Sequence, residues 1–306
     1  MSSQAILVLG GTGTVGSRIV RQLSSYHSTT NSPPYHILIA SRNGTSSSEE
    51  QPQNVRHVSF DWHNADTWSS AFSAFPFPVR SVYLIAPLSL DADRLMTSFV
   101  DFARERGARR FVLQSASSVE PGGPAMGKVH SYLRELGTRG ELEWAVLRPT
   151  WFQQNFANQS NHVKSIREES KIYSATGEGK IPWVAADDIA AVAVRALTNK
   201  VPPNTEYLVL GSELLSYGEI AGILTDVLGR KIVHVDLSAE ELEQRHQRFG
   251  MPEDYSKMMS AMDTAIKFGS ENRTNDVILA VTGAAPRKFR DFALSAKDVW
   301  ETGKKE

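Results

Sequence analysis

Ala5-Ile6-Leu7-Val8-Leu9-Gly10-Gly11-Thr12-Gly13-Thr14-Val15-Gly16 is the stretch that decides the fold. Its first five residues are an unbroken aliphatic run, the composition of a strand covered on both faces in a parallel sheet. Glycines follow at 10, 11, 13 and 16, and Ile19, Val20 and Leu23 come after them at helical spacing. A strand, a glycine turn and a helix in that order bring the backbone close to a pyrophosphate. The anion then sits at the helix N-terminus, where unpaired N–H groups and the dipole favour it. Gly10, Gly11, Thr12, Gly13, Thr14, Val15 and Gly16 are therefore the candidate phosphate cradle, with a purely structural turn as the alternative.

The same alternation runs outward along the chain. Residues 35–40, 55–60, 79–85, 110–114 and 144–147 read as strands, and 67–75, 95–106 and 127–136 as helices. This predicts an α/β fold with a doubly wound, parallel Rossmann sheet in residues 1–150. Beyond Thr150 the pattern loosens. Apolar residues at 189, 190, 193, 194 and 197 predict a helix capped near Asp187, and 207–210 reads as a last sheet strand. Residues 183–210 thus complete the first domain. Residues 151–182 and 211–306 are expected to form a smaller, mostly helical substrate region, with helices over 216–228, 239–249 and 255–268 and a short strand over 233–237. The polar stretches 24–34 and 43–54 read as surface loops.

Composition removes several classes of function. Of 306 residues, 41% are hydrophobic and 22% charged, which is ordinary for a globular protein. The 33 basic and 34 acidic side chains leave a net charge of -1, so no general grip on nucleic acid or anionic lipid is expected. Cysteine is absent, which excludes disulfides, thiolate nucleophiles and Cys-bound zinc. The 8 histidines show no His-Glu-x-x-His pattern, so no metal is expected. No apolar run approaches the ~20 residues that span a bilayer. Met1-Ser2-Ser3-Gln4 lacks the basic start of a signal peptide, and the expectation is a cytoplasmic protein with no membrane partner.

Ser41-Arg42 stands just past the second strand, where an NAD site usually places an acidic residue for the ribose hydroxyls. A hydroxyl and a guanidinium suit a 2′-phosphate instead, so NADP is the expected cofactor. A solvated loop arginine is the plain alternative. Trp151, Phe152, Tyr173 and Trp183 follow the sixth strand and could form an aromatic wall for an indole and a cation, or else part of a core. Asp187-Asp188 reads as a helix cap.

Gly10 to Gly16, Arg42, Asp61-Trp62 and Leu147-Arg148-Pro149-Thr150 resemble the atypical short-chain dehydrogenases related to the fungal regulator NmrA. More narrowly, Phe60-Asp61-Trp62, Leu147 to Phe152, Lys171 to Pro182 and Leu210 to Tyr217 resemble the festuclavine synthase and agroclavine dehydrogenase family of ergot alkaloid biosynthesis. The resemblance implies that Gly11 to Val15 hold the pyrophosphate and Arg42 the 2′-phosphate. It places Asp61 and Trp62 at the adenine, and Ala86 and Pro87 at the nicotinamide ribose. Ser115, Ala116, Thr150 and Trp151 would frame the nicotinamide. It further implies a small-molecule indole alkaloid substrate and a functional pairing with an upstream reductase, and leaves the oligomeric state open.

A standard short-chain dehydrogenase uses Tyr-x-x-x-Lys to donate a proton. None of the 8 tyrosines has Lys four residues on; Tyr132 has Leu136 there. His130 falls where such relatives often carry histidine and is a positioning candidate, with an ordinary helix histidine as the alternative. Lys128 lies nearby. Reducing a ketone makes an alkoxide that needs a proton, whereas reducing an N-alkylated iminium gives a neutral tertiary amine. The family reaction, NADPH-dependent reduction of an iminium derived from chanoclavine-I aldehyde, fits a site with no acid. The alternatives are an NADP-binding regulator without catalysis, or a quinone or ketone reductase on the same scaffold.

Overall fold

A computed structural model describes residues 4–25, 35–42, 44, 53–89 and 91–301. In chain order the elements are β1 (Gln4–Leu9), α1 (Gly16–Ser25), β2 (Tyr35–Ser41), β3 (Val55–Ser59), α2 (Trp68–Ser73), β4 (Val79–Ile85), α3 (Ala92–Glu105), β5 (Arg110–Gln114), α4 (Met126–Thr138) and β6 (Glu143–Pro149). They continue as α5 (Asn155–Asn158), α6 (Ser160–Lys164), β7 (Lys171–Ser174), β8 (Ile181–Pro182), α7 (Ala186–Thr198), β9 (Thr205–Val209) and β10 (Leu214–Leu215). The last are α8 (Tyr217–Leu228), β11 (Val233–Asp236), α9 (Ala239–Arg248), α10 (Glu253–Lys267), α11 (Val277–Thr282) and α12 (Phe289–Trp300). The chain divides into two compact units, one of Met1–Pro149, Ala186–Val209 and Val281–Gly283, the other of Thr150–Ala185, Leu210–Ala280 and Ala284–Glu306.

The first unit is built on a parallel seven-stranded sheet in the order β3-β2-β1-β4-β5-β6-β9. β1 lies between β2 and β4, with Leu7 opposite both Leu38 and Val82. This explains its uninterrupted apolar sequence: Ala5 through Leu9 are at most 1% exposed. The strand order reverses between β1 and β4, so the crevice at their carboxyl ends is a doubly wound sheet's natural ligand site. The last strand expected from the sequence is β9, which pairs with β6 through Val146 and Glu206. Leu9, Leu38, Leu84, Phe99 and Phe111 belong to the core beneath the helices, each large aliphatic side chain contributing roughly 1.5–3 kcal/mol by burial.

One local expectation changes. α7 begins at Ala186, so Asp187 lies inside its first turn and does not precede it as a cap. Its carboxylate instead takes Arg18 Nε at 2.9 Å and also pairs with Arg21, which docks α7 onto α1.

In the second unit β7 pairs with β11 in parallel, β8 pairs with β10 antiparallel, and helices supply most of the remaining regular structure. Capping boxes at Ser216/Glu219 and Ser238/Glu241 start α8 and α9. Phe156, Trp183, Tyr217, Phe289 and Trp300 belong to its core, and the Trp300 indole donates to the Phe156 carbonyl at 2.8 Å. The loop readings at 24–34 and 43–54 fall largely outside the described residues. Among the described residues no helix is long and apolar enough to cross a membrane.

Candidate functional site

β1 stops at Leu9 because Gly10 turns the chain at φ +64°, a conformation that L side chains rarely adopt. The Gly13 N–H donates to the Gly10 carbonyl at 2.9 Å, and the Gly11 N–H reaches Ala40 of β2 at 3.3 Å. A Cβ at Gly16 would lie 2.2 Å from the Gly10 oxygen, so α1 packs directly against the turn. Gly13 differs, because a Cβ there would meet only the Gly10 oxygen, at 3.2 Å. Its side-chain position is otherwise empty, as a phosphate cradle requires. Among the described residues the amides of Thr12, Val15 and Gly16 donate to no main-chain carbonyl. Arg18 Nη1 steadies the turn by donating to the Thr14 carbonyl at 2.6 Å.

At the neighbouring strand ends, the Ser41 carbonyl receives the Phe60 N–H at 3.0 Å. Arg42 is exposed, and its guanidinium has no partner among the described residues. The Asp61 carboxylate accepts the His63 N–H at 2.9 Å, and its carbonyl accepts the Trp68 indole at 3.0 Å. Trp62 is half-buried, edge-on to Phe60 and Phe99 at 5.0 and 5.5 Å. Ala86 and Pro87 follow β4 and are half-buried, as is Ala116 after β5.

Ser115 is 6% exposed. Its N–H is bonded to Leu147 at 2.7 Å, but its buried Oγ has no partner among the described residues. Leaving such a group unmet costs about 1–3 kcal/mol. The open position at Gly13, the unpartnered Arg42 and the orphaned Ser115 hydroxyl together fit a dinucleotide phosphate. The loop after β5 is held by Arg148 at the end of β6, which reaches Glu206 at 2.8 Å, the Ser117 carbonyl at 3.0 Å and the Glu120 carboxylate.

The polar residues of α4 are already engaged or enclosed. Lys128 pairs with Asp93 at 2.8 Å. The Tyr132 hydroxyl donates to Asp101 at 2.6 Å, and burial together with that carboxylate pushes the phenol up to about 12. His130 is 1% exposed, with its ring 5.8 Å from Trp144, and burial pushes its imidazole below the ordinary range. Tyr132 and Lys128 are thus held by carboxylates of α3, and His130 is shut away from solvent.

In the second unit the Trp151 and Trp183 rings lie 6.5 Å apart, and Trp183 is also 5.1 Å from Phe156 and 5.4 Å from Tyr217. Trp183 is buried, while Trp151 is half-buried and can still offer surface. Phe152 is half-buried and bridges to Val184. Tyr173 does not join them. On β7 the buried residues are Ile172 and Ser174, so Tyr173 points the other way, its hydroxyl on Glu169 and the Arg245 guanidinium 3.6 Å over its ring. The Thr150 hydroxyl donates to Glu271 at 3.1 Å, and both residues are only 4% exposed. Sequence reasoning passed over Glu271, an acid in a polar turn between α10 and α11 without periodicity or motif. Among the described residues no group of three or more His, Asp or Glu could hold a metal.

The NmrA-like family profile matches residues 2–292. Festuclavine synthase II of Penicillium roqueforti is 42% identical over 300 residues, covering 96% of this chain and 99% of that one. Agroclavine dehydrogenase of Claviceps fusiformis is 39% identical, covering 96% and 98%. Among solved structures, the triphenylmethane reductase of Citrobacter sp. complexed with NADP(H) superimposes with a TM-score of 0.75 at 23% identity, covering 95% of this chain and 99% of that one. With such a match over nearly its whole length, the chain belongs to the NmrA-like family, on a branch of oxidoreductases.

Proposed function

We propose that the chain is an NADPH-dependent reductase that converts an iminium intermediate to a tertiary amine in clavine-type ergot alkaloid biosynthesis, forming festuclavine or agroclavine. The observation that carries this reading is the state of α4. Tyr132, Lys128 and His130 occupy the region where a carbonyl reductase would keep its proton donor, and each is engaged or enclosed. The names of the festuclavine and agroclavine relatives, and the NADP(H) bound to the Citrobacter enzyme, support the substrate and the cofactor.

In this reading the glycine turn and the first amides of α1 bind the pyrophosphate, and Arg42 grips the 2′-phosphate. Trp62 and Asp61 border the adenine. Ala86, Pro87, Ser115 and Ala116, with Thr150 and Trp151, orient the nicotinamide. When bound, NADPH would supply a hydride to the carbon of the C=N bond, whose electron pair would become the amine lone pair, so that no proton would be consumed. Trp151, backed by Trp183, stacks on the indole and faces the cation; Phe152 borders the same pocket. The rate comes from proximity and orientation, not from general acid catalysis.

The test is to incubate the protein with NADPH and chanoclavine-I aldehyde, with and without the upstream reductase, and to identify products by mass. Festuclavine or agroclavine with NADPH consumption is expected. Binding of NADPH without its consumption would point to a regulator, and turnover confined to quinones or ketones would point to carbonyl chemistry.

A further inference from the structure

We propose that the second unit carries a binding site for an organic cation, in which the Asp263 carboxylate pairs with the charged nitrogen and the Tyr217 hydroxyl lies beside it. The inference deepens the reading above by naming the residue that meets the iminium charge, and rests on that reading only for the identity of the substrate. Helix α10 is amphipathic the wrong way round. Ser256, Ser260 and Asp263 face inward, none more than 6% exposed, while Tyr255 and Met258 stand out at 44% and 46%. A helix ordinarily buries its apolar stripe and shows its polar side to water.

Buried polar groups cost stability unless each finds a partner, and two of these three are incompletely met. The Ser260 hydroxyl has no partner among the described residues. Asp263 lies three residues further along the same face, a neighbour of Ser260 on the helix. One of its oxygens accepts the Ala175 N–H at 3.1 Å, and among the described residues it makes no ion pair.

Tyr217 opens α8 in the same unit. Its ring lies 5.4 Å from Trp183 and 5.5 Å from His234, and its hydroxyl makes no hydrogen bond among the described residues. Burial, and after it the charge of Asp263, raises the Tyr217 phenol, so the two groups stand within electrostatic reach. Trp183 is in turn 6.5 Å from Trp151, so aromatic rings run without a break from Trp151 to Tyr217.

The groups around Asp263 supply no positive charge. Asp236 on β11 adds a negative one. His234, on the same strand, is 2.8 Å from the Ser174 hydroxyl, and burial holds its imidazole below the ordinary range, so it is neutral at pH 7. On α9, which packs against α10, Arg245 is engaged by Glu169 at 3.3 Å and by the Tyr173 ring, and His246 lies near His162. Lys257 and Lys267 of α10 are exposed. A buried carboxylate without a cation of its own complements a ligand that brings one. The aromatic rings alongside suit an alkylated nitrogen better than a small hydrated ion.

The experiment compares two probes, N,N,N-trimethyltryptammonium, whose charge is permanent, and its neutral isostere with a quaternary carbon in place of the nitrogen. Dissociation constants for the full chain are measured by calorimetry. At pH 8 the unmodified protein is expected to bind the cation on the order of tenfold more tightly than the isostere. Burial raises the Asp263 carboxyl to about 6. The preference should therefore fall as the pH drops through that value, to within about twofold at pH 5. Asp263→Asn keeps an acceptor for Ala175 and should show no more than about a twofold preference at any pH.

A tenfold preference that survives in folded Asp263→Asn overturns the proposal. So does an unmodified protein that fails to bind the cation at pH 8, or binds both probes equally. Should Asp263→Asn fail to fold, the unmodified protein decides: a preference that stays constant between pH 5 and pH 8 overturns it. None of these failures touches the reductase reading, which is judged by the products from chanoclavine-I aldehyde. A preference lost in Asp263→Asn, in a protein that forms no festuclavine or agroclavine, would keep the cation site and reject that reading.

Discussion

At the residue scale, Gly13 and Gly16 belong to one motif but do different work. Gly16 has no room for a side chain, because a Cβ would fall 2.2 Å from the Gly10 carbonyl oxygen. Gly16→Ala should therefore destabilise the fold itself, by on the order of 3 kcal/mol, seen as a lower unfolding midpoint. Gly13 leaves its side-chain position open except for that same oxygen at 3.2 Å. Gly13→Val should keep most of the stability and abolish NADPH binding; normal binding by a folded Gly13→Val would place the pyrophosphate elsewhere. Arg42 carries the cofactor preference. With no partner among the described residues, its guanidinium is available to a 2′-phosphate. Arg42→Ala should weaken NADPH relative to NADH by about 1.5–3 kcal/mol, the worth of a charge-assisted pair. Equal losses for both cofactors, measured by titration, would remove Arg42 from the site.

At the scale of elements, α4 offers the sharpest test of the chemistry. His130→Ala, Lys128→Ala and Tyr132→Phe should each lower kcat by no more than about tenfold, whereas a general acid contributes roughly 10²–10⁴-fold. Trp151→Ala should cost more, since it removes a stacking surface. Cofactor affinity is measured alongside, and a loss above a hundredfold in any of the three polar variants with affinity intact would restore a proton donor to the mechanism. The βα units were legible because each buried strand announces itself as an aliphatic run, and β1 is the plainest. The second unit was harder to read. β8 and β10 are two residues each, and β7 finds its partner β11 about sixty residues later, a pairing that no local pattern encodes. Tyr173 shows the cost. Its aromatic character suggested a wall shared with Trp183, but strand alternation turns it to the opposite face from Ile172. Asp187 was misread as a cap because the arginines it binds lie about 170 residues earlier in the chain. Glu271 was invisible because burial, not residue type, makes it unusual.

At the scale of the whole molecule, the pH dependence of stability reports on buried groups that no local motif reveals. Asp263 on α10 is 6% exposed, and its carboxylate accepts the Ala175 N–H at 3.1 Å. Burial, and to a smaller degree the charge of Asp236, pushes it up to about 6 despite that hydrogen bond. The native state therefore holds a proton that the unfolded chain releases near the ordinary aspartate value. The stabilisation from that proton is full below about pH 4 and is lost as the pH rises through about 6. His162 works in the opposite sense. Burial, with His246 and Arg245 nearby, pushes its imidazole down to about 4, so its contribution is present above about 6.5 and is lost as the pH falls toward 4. The two slopes oppose each other, so the unmodified protein understates both. Asp263→Asn keeps an acceptor for Ala175 and removes the buried charge. At pH 8 it should be more stable than the unmodified protein by up to about 3 kcal/mol, two pKa units' worth. The difference should shrink steadily below pH 6 and be gone by pH 4, leaving the variant with the steeper acid loss. Thermal unfolding midpoints measured at pH 4, 5, 6, 7 and 8 check this. A gap between the two proteins that stays constant across the series would mean that Asp263 does not titrate in this range.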